Sequence, residues 1–266
     1  GEELSLPVMV CMDGFILTHA YERVDVPSQA EVDAFLPAYQ PRQVLDPAEP
    51  VSIGAMVGPE AFTEVRYLAH ARQLQALDRI PQIAEEFRQR FGRQSGGLIR
   101  TYRMEDAQTA VVALGSVLGT LKDTIDEMRE AGIKIGVLGI HSFRPFPLTA
   151  VREALQGVDR LVVLDRSFSV GMGGVVATDV RMAMTGSQVR RGYTVVAGLG
   201  GRAITKASLH RMLREAIADK LPPLSFLDLD ERIVKRQLER EAAQRKSGPI
   251  AENLLRDVGT VASKVQ

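Results

Sequence analysis

Thr109-Ala110-Val111-Val112-Ala113-Leu114 runs straight into Gly115-Ser116-Val117-Leu118-Gly119-Thr120, and this stretch decides the fold. A short apolar run predicts a buried strand, the glycine a tight turn, and the pattern that follows a helix reaching about Glu130. The same grammar recurs three times. Ile133–Ile140 (IKIGVLGI) is a second strand, followed by the turn FRPFP and a helix at Thr149–Gln156. Arg160–Leu164 is a third, with a loop at Asp165–Gly174 and a helix near Val175–Met184. Tyr193–Ala197 is a fourth, ending at GLGG before a helix at Thr205–Lys220. Strand, loop and helix in alternation predict an α/β fold, a mostly parallel sheet with helices on both faces. The strands read as apolar runs rather than alternating ones, as they do when both faces are covered.

The flanks differ in texture. Leu6–Met12 (LPVMVCM) predicts a strand ending at the turn Asp13-Gly14. It reads equally as the close of a domain that begins elsewhere and as an ordinary N-terminal strand. Val24–Pro59 carries Pro27, Pro37, Pro41, Pro47, Pro50 and Pro59 and predicts an extended connector. Glu60–Phe91 has helical spacing, with a kink or split expected at Pro81 and a stop at Gly92. Beyond Pro222-Pro223, Asp228–Arg245 predicts a charged helix and Asn253–Lys264 a weaker one. This tail has too few apolar positions for a core of its own. It is expected to pack on a partner or on the α/β domain, with a partly disordered tail as the alternative.

Composition excludes several classes. Lys+Arg and Asp+Glu are both 33 in 266 residues, so a zero net charge offers nucleic acid or an anionic membrane no electrostatic attraction. No run approaches the ~18 apolar residues of a membrane span, and the N-terminus lacks a signal-peptide pattern. Cys11 is the single cysteine, which excludes an intrachain disulfide, a four-cysteine zinc site and a self-contained iron–sulfur cluster. It fits a reducing cytoplasm. The four histidines are scattered, with no metal-ligand spacing and no G-x-S-x-G elbow. No catalytic or metal-ligating residue is assigned.

Ligands of an open parallel sheet bind outside the carboxyl ends of its strands, and four loops meet that edge. Gly115 and Ser116 open a helix and suit a phosphate, although GSVLGT matches no complete phosphate fingerprint; a plain strand–helix turn is the alternative. Phe143, Arg144 and Phe146 form an anion or adenine clamp; an arginine tying its loop to a neighbouring helix end is the alternative. Arg166 follows the third strand, and Gly198–Arg202 the fourth. The candidate binding residues are Gly115, Ser116, Phe143, Arg144 and Arg166.

LPVMVCMDGFILTH, LDPAEPVSIG, YRMEDAQTAVVALGSVLGT, FRPFP, LDRSFS and GLGGRAIT occur in that order. Over residues 6–219 the chain resembles the alpha-type chain of 2-oxoacid:ferredoxin oxidoreductases, the pyruvate synthase group. The resemblance implies four regions. Residues 1–23 would close a thiamine-pyrimidine-binding-like domain, the remnant of a second α/β domain. Residues 24–95 would be the Pro-rich connector and long helix, 96–220 a transketolase C-terminal-like α/β domain, and 221–266 the charged helical tail, longer than the family leads one to expect. It also implies oxidative decarboxylation of a 2-oxoacid to an acyl-CoA and CO2. Thiamine diphosphate, Mg2+ and iron–sulfur clusters would sit mainly on other chains, with coenzyme A as co-substrate. Partners would be thiamine diphosphate-binding beta-type, gamma-type and cluster-bearing ferredoxin-like subunits, with ferredoxin or another acceptor taking the electrons. The activating Glu, the substrate-holding Thr and Arg, and the GDG…NN diphosphate motif have no counterpart here, so the chain alone should be inactive. Shaping the coenzyme A side and building the assembly are its expected roles. The alternatives are a non-catalytic assembly module and a free-standing nucleotide-binding protein.

Overall fold

A computed structural model describes residues 1–15, 17–187, 189–243 and 250–259. Its contacts divide the chain into two compact units, Gly1–Ser225 and Phe226–Gln266. The first opens with an irregular segment. Residues 6–12 form no strand. A strand needs a neighbour's backbone to pair with, and neither sheet of the described residues includes this segment. Val8, Met9, Val10 and Met12 are all exposed.

The Pro-rich stretch holds one short helix that its sequence did not announce, α1 (Gln29–Phe35), started by a capping box between Ser28 and Glu31. Phe35 leaves α1 to meet Phe87 and Phe91, with ring centroids 5.7 and 5.5 Å away. Those two rings belong to α2 (Phe62–Phe91), which ends at Gly92 in the left-handed conformation, as the sequence predicts. Of the kink or split expected at Pro81, the split does not occur: α2 is one 30-residue helix. Proline removes one ladder bond, and on a helix whose only buried residue is Ala76 the freed carbonyl can turn to water.

The sheet then forms from β1 (Ile99–Tyr102), β2 (Thr109–Ala113), β3 (Ile135–Ile140), β4 (Arg160–Asp165), β7 (Arg191–Val196) and β8 (Leu224–Phe226), in the order β1-β3-β2-β4-β7-β8. A separate small pair, β5 (Phe168–Ser169) with β6 (Gly173–Gly174), lies between β4 and β7 in sequence. β2, β3, β4 and β7 are the four predicted strands and run parallel. The sequence did not single out the edges: β1 is antiparallel to β3, and β8 borders β7. The connecting helices are α3 (Val117–Glu130), α4 (Leu148–Ala154), α5 (Val175–Ala183) and α6 (Lys206–Ile217). α4 and α5 touch each other over Ala110, Val112, Leu138, Ile140 and Val163. α3 and α6 touch each other. Their buried Leu121, Ile125, Leu209 and Leu213 cover the opposite face, where the alternate residues Val111, Val137 and Val162 point.

The tail unit contains α7 (Glu231–Ala243) and α8 (Ile250–Asp257). The second helix starts earlier than predicted, and residues 260–264 of that prediction lie outside the described residues. α7 and α8 pack on each other around Asp257, which accepts from Gln237 Nε2 at 2.8 Å and from Arg240 at 3.1 Å. Among the described residues of α7 the buried side chain is polar, Gln237 at 7% exposure.

Gly136 in β3 sits beneath the Arg103–Met104 turn. A methyl group there would overlap the Arg103 carbonyl and lie 2.7 Å from Met104 Sδ. Gly136→Ala is expected to destabilise the first unit by about 1–3 kcal/mol. Gly192→Ala, in β7 with nothing near its added carbon, should stay within roughly 0.5 kcal/mol. Chemical denaturation of both variants checks the ranking.

Candidate functional site

The chain leaves β2 toward β3 on one side and leaves β4 toward β7 on the other. The connections therefore diverge between β2 and β4, and their carboxyl ends flank the switch-point crevice where open α/β sheets bind ligands. Gly115 and Ser116 follow β2. Gly115 has φ +83°, a value that glycine adopts without strain. Ser116 is the N-cap of α3, but its side chain makes no capping bond.

Arg166 comes from the other lip. Asp165, 1% exposed at the end of β4, accepts from Ser167 Oγ at 2.9 Å and from Ala177 N–H at 3.0 Å. It thereby caps α5 from twelve residues upstream. A fixed turn after Asp165 sends the Arg166 guanidinium back across the crevice. Its Nη1 lies 3.5 Å from Ser116 Oγ.

The crevice has an occupant from the far end of the chain. Asp13 Oδ2 accepts the Ser116 N–H at 2.5 Å, and Asp13 Oδ1 accepts from Arg166 Nη1 at 2.5 Å. The carboxylate also faces Gly115, where an added carbon would lie 3.1 Å from both oxygens. Burial raises the Asp13 pKa, but the Ser116 bonds and the Arg166 charge outweigh it and leave the group below its ordinary value. Alongside lies a cleft of about 640 Å³. Gly14, Phe15, Thr120, Gly200, Gly201 and Arg202 line it together with Ser116 and Arg166.

Of the five predicted binding residues, Gly115, Ser116 and Arg166 come together. Phe143 and Arg144 do not join them. Arg144 stacks 4.2 Å over the Phe143 ring and grips Asp179 of α5 through Nη1 (3.0 Å) and Nη2 (3.1 Å). The predicted clamp of two aromatics thus has one ring, because Phe146 packs into the core. Sequence reasoning missed Asp13, which it read as half of a turn. Its one signal was an acid between Met12 and Phe15, and nothing local shows that it reaches Arg166.

The implied cofactors can be tested against the donors present. No group of three or more His, Cys, Asp or Glu side chains converges among the described residues, and Cys11 is a lone exposed thiol. These residues do not fit Mg2+ or an iron–sulfur cluster. No described helix is long and apolar enough to cross a membrane.

Comparison with known proteins adds two matched regions. The family described as "Pyruvate flavodoxin/ferredoxin oxidoreductase, thiamine diP-bdg" matches residues 1–87. "Pyruvate:ferredoxin oxidoreductase core domain II" matches residues 107–209. Asp13 lies in the first region and its partners Ser116 and Arg166 in the second. Pyruvate synthase subunit PorA of Methanosarcina barkeri is 41% identical over 87% of this chain and 59% of its own length. PorA of Methanothermobacter thermautotrophicus is 40% identical over 80% and 54%. Ketoisovalerate oxidoreductase subunit VorA of Pyrococcus horikoshii is 36% identical over 77% and 52%. The chain thus spans a little over half the length of these curated relatives.

The Asp13 pair yields a pH signature. A carboxylate whose folded pKa is depressed adds stability above its unfolded value of about 3.9, and that stability is lost as pH falls through the folded pKa. Wild-type protein should therefore lose stability more steeply below about pH 4 than Asp13→Asn. A double-mutant cycle with Arg166→Met should give a coupling of roughly 0.5–3 kcal/mol at pH 7. Urea titrations across this pH range check both.

Proposed function

The chain belongs to the alpha-type chains of the 2-oxoacid:ferredoxin oxidoreductases, pyruvate synthase group, and on that premise we propose that it works as one part of such an enzyme. The overall reaction breaks the C1–C2 bond of a 2-oxoacid and releases CO2. The acyl carbon joins the sulfur of coenzyme A, and two electrons pass through iron–sulfur clusters to ferredoxin or another acceptor. Thiamine diphosphate, with Mg2+, supplies the carbanion chemistry in the assembled enzyme. The cytoplasm is the proposed compartment. The pyruvate and ketoisovalerate names of the relatives leave the 2-oxoacid open.

The observation that carries this reading is the pair of adjoining family regions, joined here by the Asp13–Arg166 contact. Residues 1–23 are then the close of a thiamine-pyrimidine-binding-like domain and 24–95 its connector and long helix. Residues 96–220 are the transketolase C-terminal-like domain, and 221–266 a tail for assembly. We assign Phe143 and Arg144 to the coenzyme A side. A guanidinium over a ring suits an adenine nucleotide with phosphates. Its pair with Asp179 is half exposed and costs little to exchange.

Surfaces support the assembly role. Met9, Val10, Tyr21 and Met56 are at least 87% exposed, and α2 also exposes Phe62, Tyr67 and Leu68. Apolar exposure on this scale marks a protein–protein interface. Thiamine diphosphate-binding beta-type, gamma-type and cluster-bearing ferredoxin-like subunits are the proposed partners. The second reading is an assembly module with no ligand, favoured by the bidentate Arg144–Asp179 bond, which already satisfies that arginine.

Coexpression with those subunits tests the proposal. The chain should copurify with them, and the complex, once supplied with the activating Glu and the substrate-holding Thr and Arg that have no counterpart here, should oxidise a 2-oxoacid in a coenzyme A-dependent way, while the isolated chain is inactive. Arg144→Ala should raise the KM for coenzyme A roughly tenfold and leave the KM for the 2-oxoacid unchanged. A coenzyme A constant within about twofold of wild type in a stable complex favours the ligand-free module. Deleting residues 226–266 should reduce copurification more than it lowers the Tm of the remaining unit.

A further inference from the structure

Residues 10–15 invert the usual rule for burial. Val10, Met12 and Phe15 are exposed at 89%, 67% and 73%. The acid between them is the group turned inward, with its side chain 16% exposed. The turn is held by charge and hydrogen bonding rather than by apolar burial. We propose that the switch-point crevice is an anion site of the phosphate class, and that the Asp13 carboxylate is its internal, removable plug.

The crevice is built for an anion with oxygens to spare. Ser116 N–H and Arg166 Nη1 converge on one carboxylate from opposite lips, each at 2.5 Å, with Ser116 Oγ beside the guanidinium. They stand at the start of the 14-residue α3, whose dipole favours negative charge. A phosphate presents more oxygens and, as a dianion, more charge to a guanidinium than a carboxylate does.

The room for its larger body is the adjoining cleft of about 640 Å³. Gly200 and Gly201, with φ of +63° and +82°, line that cleft, and no atom lies within 4 Å of where their β-carbons would stand. Lifting the Asp13 turn uncovers no packed apolar core, because its apolar neighbours already face outward. The displaced acid re-enters water, and its charge partner gains a stronger one. Bound phosphate and seated Asp13 exclude each other, so the plug lowers the apparent phosphate affinity by the fraction of chains that are open.

The test uses the full chain and inorganic phosphate, followed by titration calorimetry at pH 7. Wild type should bind weakly. Asp13→Ala should bind at least tenfold more tightly, and acetate should compete with phosphate in that variant. Arg166→Gln added to Asp13→Ala should abolish binding. Asp13→Asn, which keeps the shape and removes the charge, should also tighten binding and carries the forecast should Asp13→Ala fail to fold. Affinity within about twofold of wild type in both Asp13 variants overturns the proposal, as does binding that survives Arg166→Gln. No other subunit is needed, so this outcome is independent of whether the chain assembles as proposed.

Discussion

The successive parallel strands β2, β3, β4 and β7 must be joined by crossovers, because a tight turn cannot join parallel neighbours. That constraint puts α3, α4 and α5 on the faces, where α6 joins them after β7, buries both sides of the strands and sends every strand-to-helix loop to one edge. Starting at β2 in the middle of the sheet forces the chain to cross back once. The crossing opens the crevice between Gly115 and Arg166. Chemistry at this edge follows from topology before any particular side chain is considered.

Electrostatics decides what fills the opening. A helix start and a guanidinium, both partly withdrawn from water, would be costly to leave without a counter-charge. Asp13 supplies it from 153 positions away, and its pKa lies below the ordinary value because those donors outweigh burial. Asp165 next door is also an inward-facing acid, but it accepts from the helix start of α5 and from Ser167 and stays 1% exposed. One acid builds the lip and the other sits across it.

The legible part of the fold was the part with strong period and punctuation. TAVVAL, IGVLGI and RLVVLD are each built around a short apolar run, and glycine or proline punctuates the connections that follow, so four strands and their helices emerged within a few residues. β1 (IRTY) and β8 (LSF) were not legible, because edge strands bury only one side and carry polar residues. Leu6–Met12 has the composition of a strand, yet pairing depends on a neighbour that composition does not describe. α1 rests on a Ser28–Glu31 box hidden among prolines. Three site residues were legible because glycine and arginine stood at strand ends. Asp13 was not, since long-range pairing leaves no local pattern.

Arg144 follows β3 and Arg166 follows β4, on two loops of the same edge with β2 between them, and their different surroundings separate their roles. Arg144 is half exposed and pairs with Asp179 of the adjacent helix, a contact that an exposed setting limits to ~0–1 kcal/mol. A ligand can take it over cheaply, and the Phe143 ring remains to hold a base. Arg166 and Asp13 are 24% and 16% exposed, so water screens their attraction less. An incoming group must match a carboxylate that the chain delivers without translational cost. A weak monoanion cannot do so, whereas a dianion reaching both the Ser116 N–H and the guanidinium can. The same residue type therefore serves as an open contact on one loop and a guarded one on another, and the difference lies in what each guanidinium already holds.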